Sequence, residues 1–351
     1  MKHRRYTLHS AGGDACAPMS CGRDARVPRG VQSLPIRPLI IGSRGSLLAL
    51  TQTRFVEAEI RRLAPAVETR VEIIQTSADK DAVSSLRASG GAGIFVKELE
   101  QALLRGEIDL AVHSMKDVPT AIADGLRIAA VPEREDARDA LIISRNICNG
   151  SGGGKTAALS ELPAGARVGT GSFRRQAQLL SLRPDLRIVD IRGNVDTRIR
   201  KMESGAYDAV ALAAAGLRRL GMKDRISYAF SFDEMLPAPG QGALAAEVRA
   251  DDAFTNEIVV KLNHPSTALA VAAERDFLER LGGGCNVPIA VYARVSQSGL
   301  EMDAIAASPD GKRIIRDKAA GDPEKSAEIC AALAKRIMNA GGREILREFR
   351  H

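Results

Sequence analysis

Twice along this chain, short apolar runs of strand length alternate with stretches of helical period, and that rhythm restricts the fold more than any other feature. The first series reads as a strand at Leu39 to Gly42, a helix from Ser46 to about Leu63, a strand at Val71 to Thr76, a helix from Ile94 to Arg105 and a strand at Ile108 to Val112. The second reads as a strand at Arg167 to Thr170, a helix from Phe173 to Leu182, a strand at Leu186 to Ile191, a helix from Val195 to Met202 and a strand at Ala209 to Leu212. Such alternation builds a mostly parallel sheet flanked by helices, so an α/β fold is expected. Both series open on a strand, a Gly-Ser or Gly-Thr pair and a Ser at the helix start, at Gly42-Ser43-Arg44-Gly45-Ser46 and Gly169-Thr170-Gly171-Ser172, which suggests two similar lobes. After Pro237-Ala238-Pro239-Gly240-Gln241-Gly242, a strand from Ala243 to Val248 is expected to return to the first lobe. A final α+β unit follows: a helix from Ser266 to Leu281, the turn Gly282-Gly283-Gly284, strands near Ile289 to Val295, Met302 to Ala306 and Lys312 to Asp317, and a helix from Glu324 to Ala340.

The chain's 351 residues suit two or three domains. The expected division is a disordered extension at 1–36, a first domain at 37–135 with 240–262, a second at 136–239 and a C-terminal domain at 263–351. The extension holds six basic side chains against two acidic ones, so it carries +4 of the net charge of +7. It reads as a leader, an upstream start or a targeting peptide, although its acids and the lack of an Arg-rich amphipathic helix weaken the organelle reading. Within the rest, residues 167–219 hold eleven Lys or Arg against five Asp or Glu, an excess that fits a cleft for anionic ligands better than a duplex-binding face. Aromatics make up only 3% of the chain, so stacking platforms for bases are scarce. No apolar run is long enough to span a bilayer, and a soluble protein is expected. The five cysteines form no CxxC pair and, with the five histidines, no metal-ligand spacing, which favours a reducing compartment and no metal. The stretch Gly150 to Lys155 lacks the strand and glycine interval of a phosphate-binding loop.

The stretch HSMKDVPT at 113–120 sets a carboxylate, Asp117, at the end of an apolar strand, where ligands bind in open α/β sheets. Alone, that Asp reads as a turn or cap residue before it reads as a catalyst. Arginines recur at Gly-flanked element ends: Arg44, Arg174-Arg175, Arg192 and Arg198 around Gly193-Asn194, and Arg218-Arg219. A guanidinium stays charged and matches a carboxylate through two parallel hydrogen bonds, and helix starts add free N–H groups. Singly each is a candidate surface ion pair; together they suggest a polyanion cleft. Cys285 follows three glycines and precedes Asn286-Val287-Pro288, where an open loop would let something bulky be attached, the alternative being a small buried residue.

HSMKDVPT at 113–120, GTGSFRRQAQL at 169–179, RGNVDTR at 192–198, AAGLRRLG at 214–221, LPAPGQGALAAE at 236–247 and LGGGCNVPIA at 281–290 together resemble the hydroxymethylbilane synthase family, also called porphobilinogen deaminases. The resemblance runs from about Ile41 to the end, with the N-terminal segment and the Gly-rich loop near 150 outside it. It implies two periplasmic-binding-protein-like lobes with mixed, mostly parallel sheets, plus a smaller α+β C-terminal domain. It also implies a dipyrromethane primer bonded to Cys285, to which four porphobilinogen units are added head to tail with loss of ammonia, before hydrolysis frees hydroxymethylbilane. Asp117 matches the family's catalytic aspartate, which stabilises the cation left when ammonia departs. Arg44, Ser46, Ser114, Lys116, Thr170, Ser172, Arg174 and Arg175 are the implied cofactor contacts. Arg44, Gln52, Lys97, Arg192, Arg198 and Arg219 are the implied substrate contacts. A cytoplasmic monomer without nucleic-acid or membrane partners is the family expectation. Two departures stand out: Ala92 where many relatives have lysine, and Gly171 in place of a serine before the arginine pair. The rival reading from another class is a non-catalytic two-lobed binder of a small polycarboxylate.

Overall fold

The computed structural model describes residues 37–75, 96–148, 159–282 and 287–350. The expected extension at 1–36, the Gly-rich loop at 149–155, Ala92, Cys285 and the beginning of the expected helix at Ile94 lie outside them. The first strand, β1 (Leu39–Ser43), leads into α1 (Leu47–Leu63), whose N-cap Ser46 accepts a hydrogen bond from the Ala49 amide at 3.3 Å. Its buried positions Ala49, Gln52, Thr53, Val56 and Ile60 recur at helical spacing and make one packed face. Next come β2 (Thr69–Ile73), α2 (Lys97–Leu104), β3 (Leu110–Ser114) and β4 (Leu126–Ala130). The chain then crosses to β5 (Asp139–Ile143) and builds β6 (Arg167–Gly169), α3 (Phe173–Leu182), β7 (Arg187–Val189), α4 (Val195–Glu203), β8 (Ala209–Ala213), α5 (Ala214–Arg219) and β9 (Tyr228–Ala229). It crosses back to β10 (Leu244–Arg249) and α6 (Ala253–Val259).

The two resulting sheets have matching orders, β2-β1-β3-β10-β4 and β7-β6-β8-β5-β9. In each, three neighbouring strands are parallel and the strand that has just crossed over lies antiparallel beside them. The similar lobes expected from the sequence are therefore present, and the return of the strand after Gly242 to the first sheet is observed. The antiparallel pairings arise because β5 and β10 arrive from the other lobe rather than through a helix on their own sheet.

The third sheet, β11 (Ile289–Ser296), β12 (Gly299–Ala307) and β13 (Ile314–Gly321), is an antiparallel meander. It packs with α7 (Pro265–Arg280) and α8 (Ser326–Ile337) around Phe277, Val291, Leu300, Cys330, Leu333 and Ile337, all fully buried. Burial of each large side chain there contributes about 1.5–3 kcal/mol. The chain ends in α9 (Arg343–Arg350), separated from α8 by Gly341 at φ 110°. Among the described residues no helix is long and apolar enough to cross a membrane.

The two crossing segments bond to each other, the Glu135 amide donating to the Gly242 carbonyl at 3.2 Å. Gly242 has φ +88°, and a Cβ there would stand 2.4 Å from the Glu135 carbonyl oxygen, so both its angle and its crowding require glycine. Gly242→Ala is expected to destabilise the protein by about 1–3 kcal/mol, read as a lower urea midpoint with an unchanged slope.

Candidate functional site

The strand before Asp117 runs from Leu110 to Ser114, two residues later than the spacing suggests. Asp109 is spent elsewhere: its buried carboxylate accepts from the Ile40 amide at 2.9 Å and pairs with Arg249 at 2.8 Å. The HSMKD motif therefore straddles the strand end. His113 and Ser114 point to opposite faces of β3, as alternate residues must. His113 is buried against Glu247 of β10, 3.0 Å away. Ser114 meets Gln52 of α1, whose amide donates to its Oγ at 2.9 Å. Met115, Lys116 and Asp117 then form one 3-10 turn, closed by the Val118 amide donating to the Met115 carbonyl at 3.1 Å. Met115 and Val118, three residues apart, both point inward and are buried, which leaves Lys116 and Asp117 half-buried between them.

On the second sheet, Ser172 caps α3 and places Arg174 and Arg175 in its first turn, where the helix dipole disfavours cations. What holds them is Asp139, the first residue of β5, which is fully buried. Arg174 Nη1 donates to Asp139 Oδ2 at 2.6 Å and to the Leu236 carbonyl at 2.7 Å. Arg175 Nε donates to Asp139 Oδ1 at 2.9 Å, and Gln241 Nε2 donates to the same oxygen at 3.0 Å. Burial alone would raise the Asp139 carboxyl, but Arg174 and Arg175 outweigh it and hold it well below the usual carboxylate range. Burial pulls the Arg174 guanidinium down, with Asp139 opposing.

Charges from both sheets converge here. Burial lowers the Lys116 ammonium to about 8, against the pull of Asp117, and Arg175 and Arg174 add to the fall while Asp139 resists it. Burial likewise lowers Arg198 of α4 to about 10, helped by Arg175 and opposed by Asp190 and Asp117. Arg198 also donates from Nε to the Gly193 carbonyl at 2.7 Å. Lys116 and Arg198 thus both lie within electrostatic reach of Asp117 and Arg175, and Lys116 also of Arg174. Cations that weaken each other's hold on protons are relieved by an anion.

Other candidates sit around this group in different states. Arg44 is half-buried after β1, and Ser46 is committed to its cap. Thr170 is buried with its Oγ1 accepting the Ser172 amide at 3.2 Å, while Ser172 accepts the Arg175 amide. Arg192 pairs with Asp190 at 3.1 Å. Arg219 donates to the Gly242 carbonyl at 2.7 Å, and burial lowers it to about 10, against Glu135. Lys97 stands exposed at the first position of α2. A Cβ at Gly171 would approach Asp190 Oδ1 at 3.0 Å, so the missing hydroxyl leaves a close fit rather than a gap. Cys285 falls between Gly282 and Val287, outside the described residues. Sequence reasoning missed Asp139 and Gln241, whose partners lie 35 or more residues away along the chain and leave no local signal.

The family model "Porphobilinogen deaminase, dipyromethane cofactor binding domain" matches residues 39–257, and "Porphobilinogen deaminase, C-terminal domain" matches 268–339. A porphobilinogen deaminase from Pelobacter propionicus is 46% identical over 315 residues, covering 90% of this chain and 98% of the relative. One from Thermus thermophilus is 45% identical over 317 residues, covering 90% and 100%. A periplasmic aliphatic sulphonate binding protein from Escherichia coli aligns with a TM-score of 0.35 and 15% identity over 69% of this chain and 70% of its own, too distant to bear on the argument.

Asp139→Asn would leave two buried guanidinium groups without their counter-ion, at a cost of about 3–5 kcal/mol. The depressed carboxyl contributes fully above its unfolded value near ~3.9 and is lost only as pH falls through the lower folded value. Urea titrations should therefore show a deficit that is constant from pH 8 down to about 4 and narrows in stronger acid.

Proposed function

The chain belongs to the porphobilinogen deaminase family, and we propose that Asp117, among Lys116, Arg175 and Arg198, is the group on which its chemistry turns. The enzyme is a hydroxymethylbilane synthase: it joins four porphobilinogen molecules head to tail on a dipyrromethane primer, releases one ammonia at each addition and hydrolyses the product free. When bound, the primer supplies the nucleophilic pyrrole carbon on which growth starts. Cys285 is the residue assigned to hold it through a thioether.

The observation that carries the assignment is the Asp117 carboxylate beside Lys116 and Arg198, whose other acidic neighbours, Asp139 and Asp190, are already paired with Arg174, Arg175 and Arg192. When ammonia leaves porphobilinogen, its methylene carbon becomes cationic, and the Asp117 carboxylate stabilises that charge at close range. At ~4 Å and an effective dielectric of ~20 such a pair is worth about 4 kcal/mol, most useful where the charge exists only in the transition state. The same carboxylate is suited to accept the proton released when the new carbon–carbon bond forms. Lys116, Arg44, Arg175, Arg192, Arg198 and Arg219 are assigned to the acetate and propionate groups of primer and substrate, with Ser46, Gln52, Ser114, Thr170, Ser172 and Lys97 as secondary contacts. Arg174, whose donors turn inward to Asp139 and the Leu236 carbonyl, is assigned mainly to holding Arg175 in place. The matching sheet orders and two crossings support domains at 37–135 with 240–262, at 136–239 and at 263–351. A cytoplasmic monomer is the accompanying reading.

Asp117→Asn should reduce kcat by about a hundredfold or more, with the fold intact. Intact mass should still show a two-ring adduct, and Cys285→Ala should abolish that adduct; a loaded Asp117→Asn enzyme with near-normal turnover would remove Asp117 from the chemistry. Lys116 is charged below about 8 and neutral above it. The KM for porphobilinogen should therefore rise as pH passes through about 8, and Lys116→Gln should start from a raised KM and lose that pH dependence.

A further inference from the structure

Arg275 lies on α7 and reaches back to the turn that carries Asp117. Its Nη1 donates to the Val118 carbonyl at 3.0 Å, and its Nη2 donates to the Pro119 carbonyl at 2.5 Å and the Thr120 carbonyl at 3.2 Å. These three consecutive carbonyls follow Asp117 directly and belong to no helix or strand. Packing repeats the link: Val118 is buried with Met115 and with Val271 of α7, and Ala268 packs against the same cluster. A guanidinium presents its donors in a rigid fork, so one side chain holds all three carbonyls. Five residues beyond Arg275 the helix ends at Arg280, and the chain runs through Gly282 towards Cys285.

We propose that Arg275 is a positioning residue for the condensation, holding the Asp117 turn against α7 so that the acid keeps a fixed place. The proposal rests on the assignment of Asp117 made above. A misplacement of about 1 Å at a reacting group can cost on the order of a hundredfold in rate, so the clamp can matter greatly without touching substrate.

The test compares holoenzymes of Arg275→Gln and Arg275→Lys with the parent. In Arg275→Gln, kcat should fall by about tenfold or more while KM for porphobilinogen stays within about twofold, the signature of a defect confined to the transition state. The mass of the adduct should be unchanged. Amide hydrogen exchange over 115–121 should accelerate at least about tenfold, with β11 to β13 unaffected. Arg275→Lys keeps the charge and part of the hydrogen bonding, and should recover part of kcat. A loaded, folded Arg275→Gln enzyme with unchanged kcat, or with a loss confined to KM, overturns the proposal. If Arg275→Gln does not fold, the same kcat and KM comparison on Arg275→Lys decides. Loaded Asp117→Asn, run in parallel, separates the two ideas: turnover there removes the acid's role, whereas a dead Asp117→Asn beside an unimpaired Arg275→Gln removes only the clamp.

Discussion

One buried carboxylate, that of Asp139, holds two guanidinium groups at the point where the chain crosses from the first sheet to the second. A charged group is costly to bury, and Arg174 and Arg175 could not sit in the first turn of a helix, out of water, without it. Asp139 in turn belongs to β5, which reaches the second sheet only because the chain has crossed. The ion cluster and the exchanged strand therefore depend on each other: topology delivers the acid, and the acid makes the two buried cations tolerable.

The return crossing repeats the logic with a second buried acid. Glu274 of α7 is fully buried and accepts Arg134 at 2.7 and 3.1 Å, the Gly240 amide at 2.6 Å and the Ala293 amide at 2.8 Å. It thus joins both crossing segments to the third sheet. Gln241 ties the two acids together, its side chain donating to Asp139 and its carbonyl accepting from Arg134 at 2.8 Å. Gly240 and Gly242 on either side have positive φ, and a Cβ at Gly240 would meet Met115 Cγ at 2.7 Å, directly beneath the Asp117 turn. The short Gly-Gln-Gly segment accordingly serves the first lobe, the second lobe and the C-terminal unit at once.

Rhythm made most of the architecture legible. The helix from Phe173 to Leu182 and the parallel strands were readable because strand and helix alternate, each with its own hydrophobic period. β4 and β5 were not, because they follow one another with no helix between and a charged crossing separates them. The helices Ala253–Val259 and Arg343–Arg350 were also missed. The first announces itself only by the Asp252 cap, and the second lies beyond the break at Gly341. At the site, the residues with distinctive spacing were visible, including Asp117 and the arginines. Asp139, Glu274 and Arg275 were not, since their partners are between 19 and 157 residues away and no local pattern marks such long-range bonds.

On the proposed assignment, the pairing also explains how a polyanion would be attracted without leaving naked charges in the protein. Asp139 balances only one of the two guanidinium charges that it binds, so the buried cluster keeps a net positive charge although its donors are largely satisfied. Lys116 and Arg198 extend that field across the turn, and each gives up part of its proton affinity to do so. A field of this kind acts through space and tolerates a ligand whose carboxylates change position as it grows, whereas a set of fixed bidentate contacts would favour one length over the rest. In the proposed role, the Asp117 carboxylate would give local stabilisation to a transient cation without cancelling the attraction for the anionic chain.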